Sequence, residues 1–236
     1  MATDGLRLDN VLWRQGAFRL SADLTLPTGT ITALIGASGS GKSTLLSGVA
    51  GFLRPEAGHV EIAGTDCTDA APGDRPLSIL FQDQNLFPHM TVAQNVGLGL
   101  RPDLRLSADQ AAARDAVLAE VGLGGMDDRL PRDLSGGQQS RAALARALLR
   151  GRPWLLLDEP FSALGPGLRL EMLDLVARTA REQGLSVLMV THDPEDARRI
   201  ADLTALVADG ACSGAVETAT LFADPPPALR AYLGNA

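Results

Sequence analysis

The stretch Gly36-Ala37-Ser38-Gly39-Ser40-Gly41-Lys42-Ser43-Thr44 follows an apolar β-type run, Thr30-Ile31-Thr32-Ala33-Leu34-Ile35, and leads into a helical pattern through Leu45, Leu46, Val49 and Ala50. A strand, a glycine-rich loop of the form GxxxxGK[ST] and a helix in immediate succession confine the chain to α/β folds that present such a loop at the carboxyl ends of parallel strands. The glycines let successive backbone N–H groups point inward, and the helix N-terminus adds partial positive charge. Lys42 is then placed to reach outer phosphates, and the Ser43 hydroxyl to ligate Mg²⁺. A flexible Gly/Ser linker would need neither the buried strand before the loop nor the Lys-Ser-Thr that closes it. The loop is expected to bind a nucleoside triphosphate.

The 236 residues suffice for one large α/β domain or a core with an inserted subdomain. A composition of 45% hydrophobic and 21% charged residues can bury a full core. The net charge of −7 argues against a cationic surface that coats nucleic acid, so no nucleic-acid partner is expected. Cys67 and Cys212 stand alone without metal-ligand spacing, which fits a reduced cytosolic compartment and not a disulfide framework. The opening Met1-Ala2-Thr3-Asp4-Gly5 lacks the basic and apolar regions of a signal peptide. The apolar runs around residues 31–35, 154–157 and 187–190 are too short to span a bilayer. Service to a membrane is therefore expected from its surface, through other chains.

Residues 6–12, 18–26 and 30–35 read as strands, with Pro27-Thr28-Gly29 turning into the last of them. Trp13 and Phe18 are the aromatics here; Trp13 is a candidate to stack on a nucleotide base, whereas Phe18 reads as packing. Strand patterns follow at 59–62 and 77–81, the second ending at Gln82. Residues 90–100, 107–121 and 136–150 have helical texture, and Ser107 with Gln110 matches a capping box. This block, 85–151, reads as a helical subdomain inserted into a core formed by 1–84 and 152–236.

Leu134-Ser135-Gly136-Gly137-Gln138 opens the third of these helices. Ser135 alone needs only a capping explanation. Two glycines beside it, where helix propensity disfavours them, suit bare backbone approached by an anion. Trp154-Leu155-Leu156-Leu157 is continuous and apolar, as for a strand buried on both faces, and ends in Asp158-Glu159. At that sheet edge Asp158 is expected to orient Mg²⁺ and Glu159 to act as base for water. Gln82 and His192 leave the same edge; Gln82 is placed to touch Mg²⁺ or the attacking water, and His192 to act beside Glu159. A helix over 171–181, a strand over 185–191, short strands within 205–217 and a polar, proline-interrupted tail over 218–236 complete the chain.

In order and spacing these pieces resemble the nucleotide-binding subunit of ATP-binding cassette (ABC) transporters over nearly the whole chain. The phosphate loop, Leu134 to Gln138, the run through Asp158-Glu159-Pro160, Gln82 and His192 carry the resemblance. It implies a P-loop α/β core, mostly parallel, with an antiparallel β subdomain and the helical subdomain. It also implies Mg-ATP hydrolysis by a homodimer closed head-to-tail, with Ser135, Gly136, Gly137 and Gln138 of one copy meeting phosphate held at Lys42 of the other. Integral membrane permease subunits and, indirectly, a periplasmic substrate-binding protein are the implied partners, at the cytoplasmic face of the inner membrane. The stretches over 75–87 and 90–100 are similar to bacterial thiamine importer ATPases. A soluble ABC ATPase of DNA repair or translation would usually carry a long coiled-coil insertion or two cassettes, and a P-loop kinase would not need Leu134 to Gln138.

Three positions depart from the resembled pattern. Gly165 stands where an Asp is usual after Ser162-Ala163-Leu164, Gln139-Ser140 replaces a more basic pair, and Trp13 precedes the usual site of the base-stacking aromatic, where Arg14 or Gln15 falls.

Overall fold

The computed structural model describes residues 5–83 and 85–234. Residues 1–4, Gln84 and 235–236, which include most of the opening read for a leader and one residue of the 75–87 stretch, lie outside that set. Described strands form one 11-stranded sheet. Strands β1 (Leu6–Gln15), β2 (Phe18–Leu26), β4 (Ala57–Ile62) and β5 (Thr65–Asp66) make its antiparallel end. Strands β3 (Ile31–Ile35), β6 (Leu77–Leu80), β7 (Trp154–Asp158), β8 (Ser186–Val190) and β9 (Leu203–Ala208) run parallel in the order β9-β3-β8-β7-β6. Short strands β10 (Ala211–Cys212) and β11 (Val216–Glu217) pair with β9.

The two ends have different sequence textures for one physical reason. β3 and β8 are buried at every residue because both faces of the parallel sheet are covered, whereas β2 alternates buried and exposed positions. Along β7, Trp154 and Leu156 join the apolar cluster under β1, β2 and β4, and Leu155 and Leu157 join the cluster shared with the helices. Helix α1 (Lys42–Ala50) packs on the first cluster, where Gly48 leaves room for the Trp13 ring. A Cβ at Gly48 would lie 2.2 Å from Trp13 Cε2.

Between β6 and β7 come α2 (Val92–Gly97), α3 (Ala108–Glu120) and α4 (Gly136–Leu149). Each begins with a capping box: Thr91 with Gln94, Ser107 with Gln110, and Ser135 with Gln138. The same S/T-x-x-Q spacing is legible at all three. α2 is shorter than the helical texture of 90–100 suggests, since the chain turns at Leu98–Gly99, where the Arg146 carbonyl would lie 2.5 Å from a Gly99 Cβ. Helix α5 (Pro166–Gln183) begins earlier than 171, with Pro166 in its first turn, and α6 (Pro194–Ile200) follows β8. The polar tail is largely helical: α7 (Thr218–Ala223) and α8 (Pro227–Leu233) dock through Leu221 and the fully buried Leu229.

Candidate nucleotide site

The phosphate loop leaves β3 and curls through left-handed backbone at Gly39 (φ 77°) and Gly41 (φ 111°), the residue that caps α1. Lys42 is buried, and its Nζ donates to the carbonyls of Gly36 (2.8 Å) and Ala37 (2.9 Å). Burial lowers the Lys42 pKa, against the attraction of Glu159 and Asp158. Ser40 Oγ is buried without a hydrogen-bond partner among the described residues, a hydroxyl suited to a phosphate oxygen.

Ser43 Oγ donates to Asp158 Oδ1 at 3.1 Å, so a hydroxyl and a carboxylate meet at the loop. Burial raises the Asp158 pKa, while the Ser43 hydrogen bond and Lys42 lower it. This oxygen donor set fits Mg²⁺, which takes one or two protein oxygens and completes its shell with water and substrate phosphate. Among the described residues no group of three or more His, Cys, Asp or Glu is arranged to hold a metal by itself.

Glu159 follows β7 with φ 43°, a left-handed conformation that costs a non-glycine residue about 1–2 kcal/mol. Its N–H donates to the Val190 carbonyl (3.1 Å), and its carbonyl accepts from Ser162 Oγ (3.1 Å). Held this way, its carboxylate Oε2 lies 3.0 Å from His192 Nδ1. A carboxylate and an imidazole at the carboxyl ends of β7 and β8, beside a phosphate loop, can take a proton from water and place a donor near a terminal phosphate.

A cleft of about 290 Å³ runs over the loop, lined by Ser38, Gly39, Lys42, Thr44 and Glu159, with Phe18 and Gln15 at its side. Trp13 is not among its walls. It is fully buried under α1, because its strand turns that side chain toward the core, so the expectation that it stacks on a base is corrected. Phe18, read from sequence as packing, is partly buried and reaches over Gly41, where a Cβ would meet its Cζ at 2.7 Å. Arg14 instead pairs with Glu56. Gln82 is exposed after β6 and does not line the cleft.

The Ser135–Gln138 segment also lies apart from that cleft. Ser135 Oγ accepts from the Gln138 N–H (3.3 Å), which leaves its own O–H free to donate. Gly136 is exposed, with nothing but a distant Leu164 methyl near its Cβ position, whereas Gly137 is buried against Leu168. Gln139 donates its amide to the Pro131 carbonyl at 3.0 Å and braces the approach to the helix. The result is a helix N-terminus closed by its capping box, with Ser135 and Gly136 exposed at the surface and outside the cleft over the phosphate loop.

Fold and site together define a P-loop NTPase. The family model described as ABC transporter matches residues 20–162. The chain is 60% identical to the thiamine import ATP-binding protein ThiQ of Cereibacter sphaeroides, over 97% of this chain and 99% of that protein. It is 52% identical to the protein of the same name from Ruegeria sp. strain TM1040, with the same coverage. Among solved structures it resembles a nucleotide-free ATP-binding cassette of an ABC transporter (TM-score 0.86, 24% identity, 98% of this chain and 99% of that one). Another cassette, in its ADP conformation, gives TM-score 0.86 and 25% identity, with the same coverage. The chain belongs to the ATP-binding cassette family of ABC transporters, and it is an ATPase.

Proposed function

We propose that this chain is the ATP-hydrolysing subunit of a bacterial thiamine importer. The observation that carries the reading is the match to thiamine import ATP-binding proteins along nearly the full length of both chains. Two copies close head-to-tail, so that Ser135, Gly136, Gly137 and Gln138 of each supply donors to phosphate bound at the other's Lys42. The exposure of Ser135 and Gly136, and their absence from the lining of the chain's own cleft, support this arrangement. When bound, Mg²⁺ would screen phosphate charge, and Ser43, Asp158 and Gln82 are the residues that would hold it. Glu159 takes the proton of the attacking water, and His192 fixes the Glu159 carboxylate and donates toward the terminal phosphate. The base lies against Phe18 and Gln15.

Residues 85–151 act as a helical subdomain against the core of 1–84 and 152–236, and membrane permease subunits read its position from the cytoplasmic face of the inner membrane. No helix among the described residues is long and apolar enough to cross a membrane. A periplasmic binding protein delivers thiamine to those permease subunits. Deleting the gene in a thiamine auxotroph that has no second thiamine importer tests the reading. The external thiamine needed for growth should rise; an unchanged requirement would leave an importer of another small solute.

A further inference from the structure

Beside the Glu159–His192 pair lies a partly buried group of ion pairs that joins α5 to α6 and the turn before it. Arg169, in the first turns of α5, has a side chain only 17% exposed. Its Nη2 donates to Asp196 Oδ2 on α6 at 2.5 Å, and its Nη1 lies 3.2 Å from Asp193 Oδ2. Asp196 Oδ2 also accepts from Thr191 Oγ1 at 2.6 Å, and Thr191 Oγ1 accepts from the Asp193 N–H at 3.1 Å. The residues on both sides of His192 are thus tied to one guanidinium, Asp193 directly and Thr191 through Asp196. Arg169 also borders the same small pocket as Glu159, Ser162 and His192. The Tyr232 hydroxyl also donates to the His192 carbonyl.

A surface ion pair would do little here, but this one is partly buried and forked. Only a planar guanidinium can give one nitrogen to each of two carboxylates in a fixed geometry. Arg169 also stands one helical turn after Gly165, whose carbonyl accepts from the Arg169 N–H at 2.9 Å. The fork therefore joins the loop that carries Glu159 into α5 to the turn that carries His192.

We propose that Arg169 is a positioning residue for hydrolysis, setting the His192 turn against Glu159 by clamping Asp193 and Asp196. The proposal rests on the reading that Glu159 and His192 act on ATP. Steady-state ATPase of the parent and of Glu159→Gln checks that reading separately: the parent must hydrolyse ATP and the Gln variant must not. With that established, Arg169→Met should leave ATP affinity unchanged and lower kcat by about tenfold or more, the scale expected when a reacting group is misplaced by a fraction of an ångström. Arg169→Lys should restore only part of kcat, because a single ammonium nitrogen can bond both carboxylates but lacks the fixed planar spacing of two guanidinium nitrogens. Thr191→Val, which cuts the same chain elsewhere and keeps the charges, should lower kcat selectively, and its loss combined with Arg169→Lys should be less than additive. These two variants keep the test open if Arg169→Met fails to fold. A lower melting temperature with kcat per folded molecule unchanged in Arg169→Lys and Thr191→Val would overturn the proposal, as would full rescue by Lys or strictly additive losses.

Discussion

Glu159 Oε2 and His192 Nδ1 meet at 3.0 Å across two parallel strands, β7 and β8, that place Asp158 opposite Val190. The sheet register, and not the sequence separation, brings the carboxylate and the imidazole together. Glu159→Gln keeps the shape but removes the base. It should bind ATP, hold an ATP-dependent dimer in size-exclusion chromatography and turn over at least about 10²-fold more slowly. A variant that stays monomeric with ATP and hydrolyses normally would remove Glu159 from its role.

Lys42 is the only lysine in the chain; every other long basic residue is arginine. Amine-selective acetylation should therefore report on Lys42 and the N-terminal amine alone. With ATP bound, Lys42 should be protected and the N-terminal amine should react unchanged, read by peptide mass spectrometry. Lys42 labelling that is measurable without ATP and undiminished with it would contradict its contact with the nucleotide.

The two thiols make a prediction of opposite sense. Burial pushes the Cys212 pKa up to about 12 and also raises that of Cys67. A raised pKa removes the reactive thiolate at ordinary pH. Native protein at pH 8 should resist a disulfide exchange reagent such as dithionitrobenzoate, and both thiols should react once urea unfolds the chain. Rapid reaction in the native state would show that these side chains open readily to solvent.

Arg75 is 1% exposed and donates to the carbonyls of Gly48 (3.0 Å), Val49 (2.8 Å) and Ala70 (3.1 Å). Its cation thereby closes the C-terminus of the helix whose N-terminus is the phosphate loop. Arg75→Met keeps much of the volume but removes the donor to those carbonyls, of which that of Gly48 keeps a backbone partner, the Gly51 N–H, and this should cost about 2 kcal/mol of stability. Urea unfolding should show a lower midpoint with an unchanged slope; an unchanged midpoint would mean that water replaces the guanidinium without loss.

What was legible in the sequence was local. The phosphate loop, the apolar run into Asp158-Glu159 and the Ser107 cap each declare themselves within a few residues, because strand, turn and cap chemistry act at that range. The burial of Trp13 was not legible, since only the pairing of β1 with β2 and the packing of α1 cover its ring, while Phe18 packs at the cluster's edge as its sequence suggests. The tail looked polar because its three prolines and Asp224 interrupt the pattern around Leu229, whose burial depends on β3, β9 and α6. Arg169 has no local signature at all: its partner Asp196 is 27 residues away.

The roles of these two aromatics can be checked directly. Phe18→Ala should weaken nucleotide binding by about 1–3 kcal/mol, the range for a base stacked on an aromatic ring. Trp13→Phe should leave binding unchanged and destabilise the fold by about 1 kcal/mol or more through the void beneath Gly48. Titration with a fluorescent ATP analogue separates the two outcomes, and the reverse pattern would restore Trp13 to the site.

Gly165 departs from the resembled pattern at a position whose geometry the structure makes plain. It caps α5 with φ −63° and ψ 156°, has no side chain to bond the first-turn N–H groups, and meets nothing within 4 Å of its Cβ position. An aspartate fits there without strain and supplies the missing cap. Gly165→Asp should therefore raise stability by about 0.5–1 kcal/mol, through the cap and the loss of glycine's freedom in the unfolded chain. A second effect depends on the dimer. In the proposed head-to-tail dimer a carboxylate here would link the two copies' sites, a link the native chain would make through backbone and water. The Hill coefficient for ATP, measured with the membrane subunits present, should then rise in Gly165→Asp. The two readouts are independent: a higher melting temperature with an unchanged Hill coefficient would assign the residue to helix capping alone, and unchanged values of both would show that neither role is open to it.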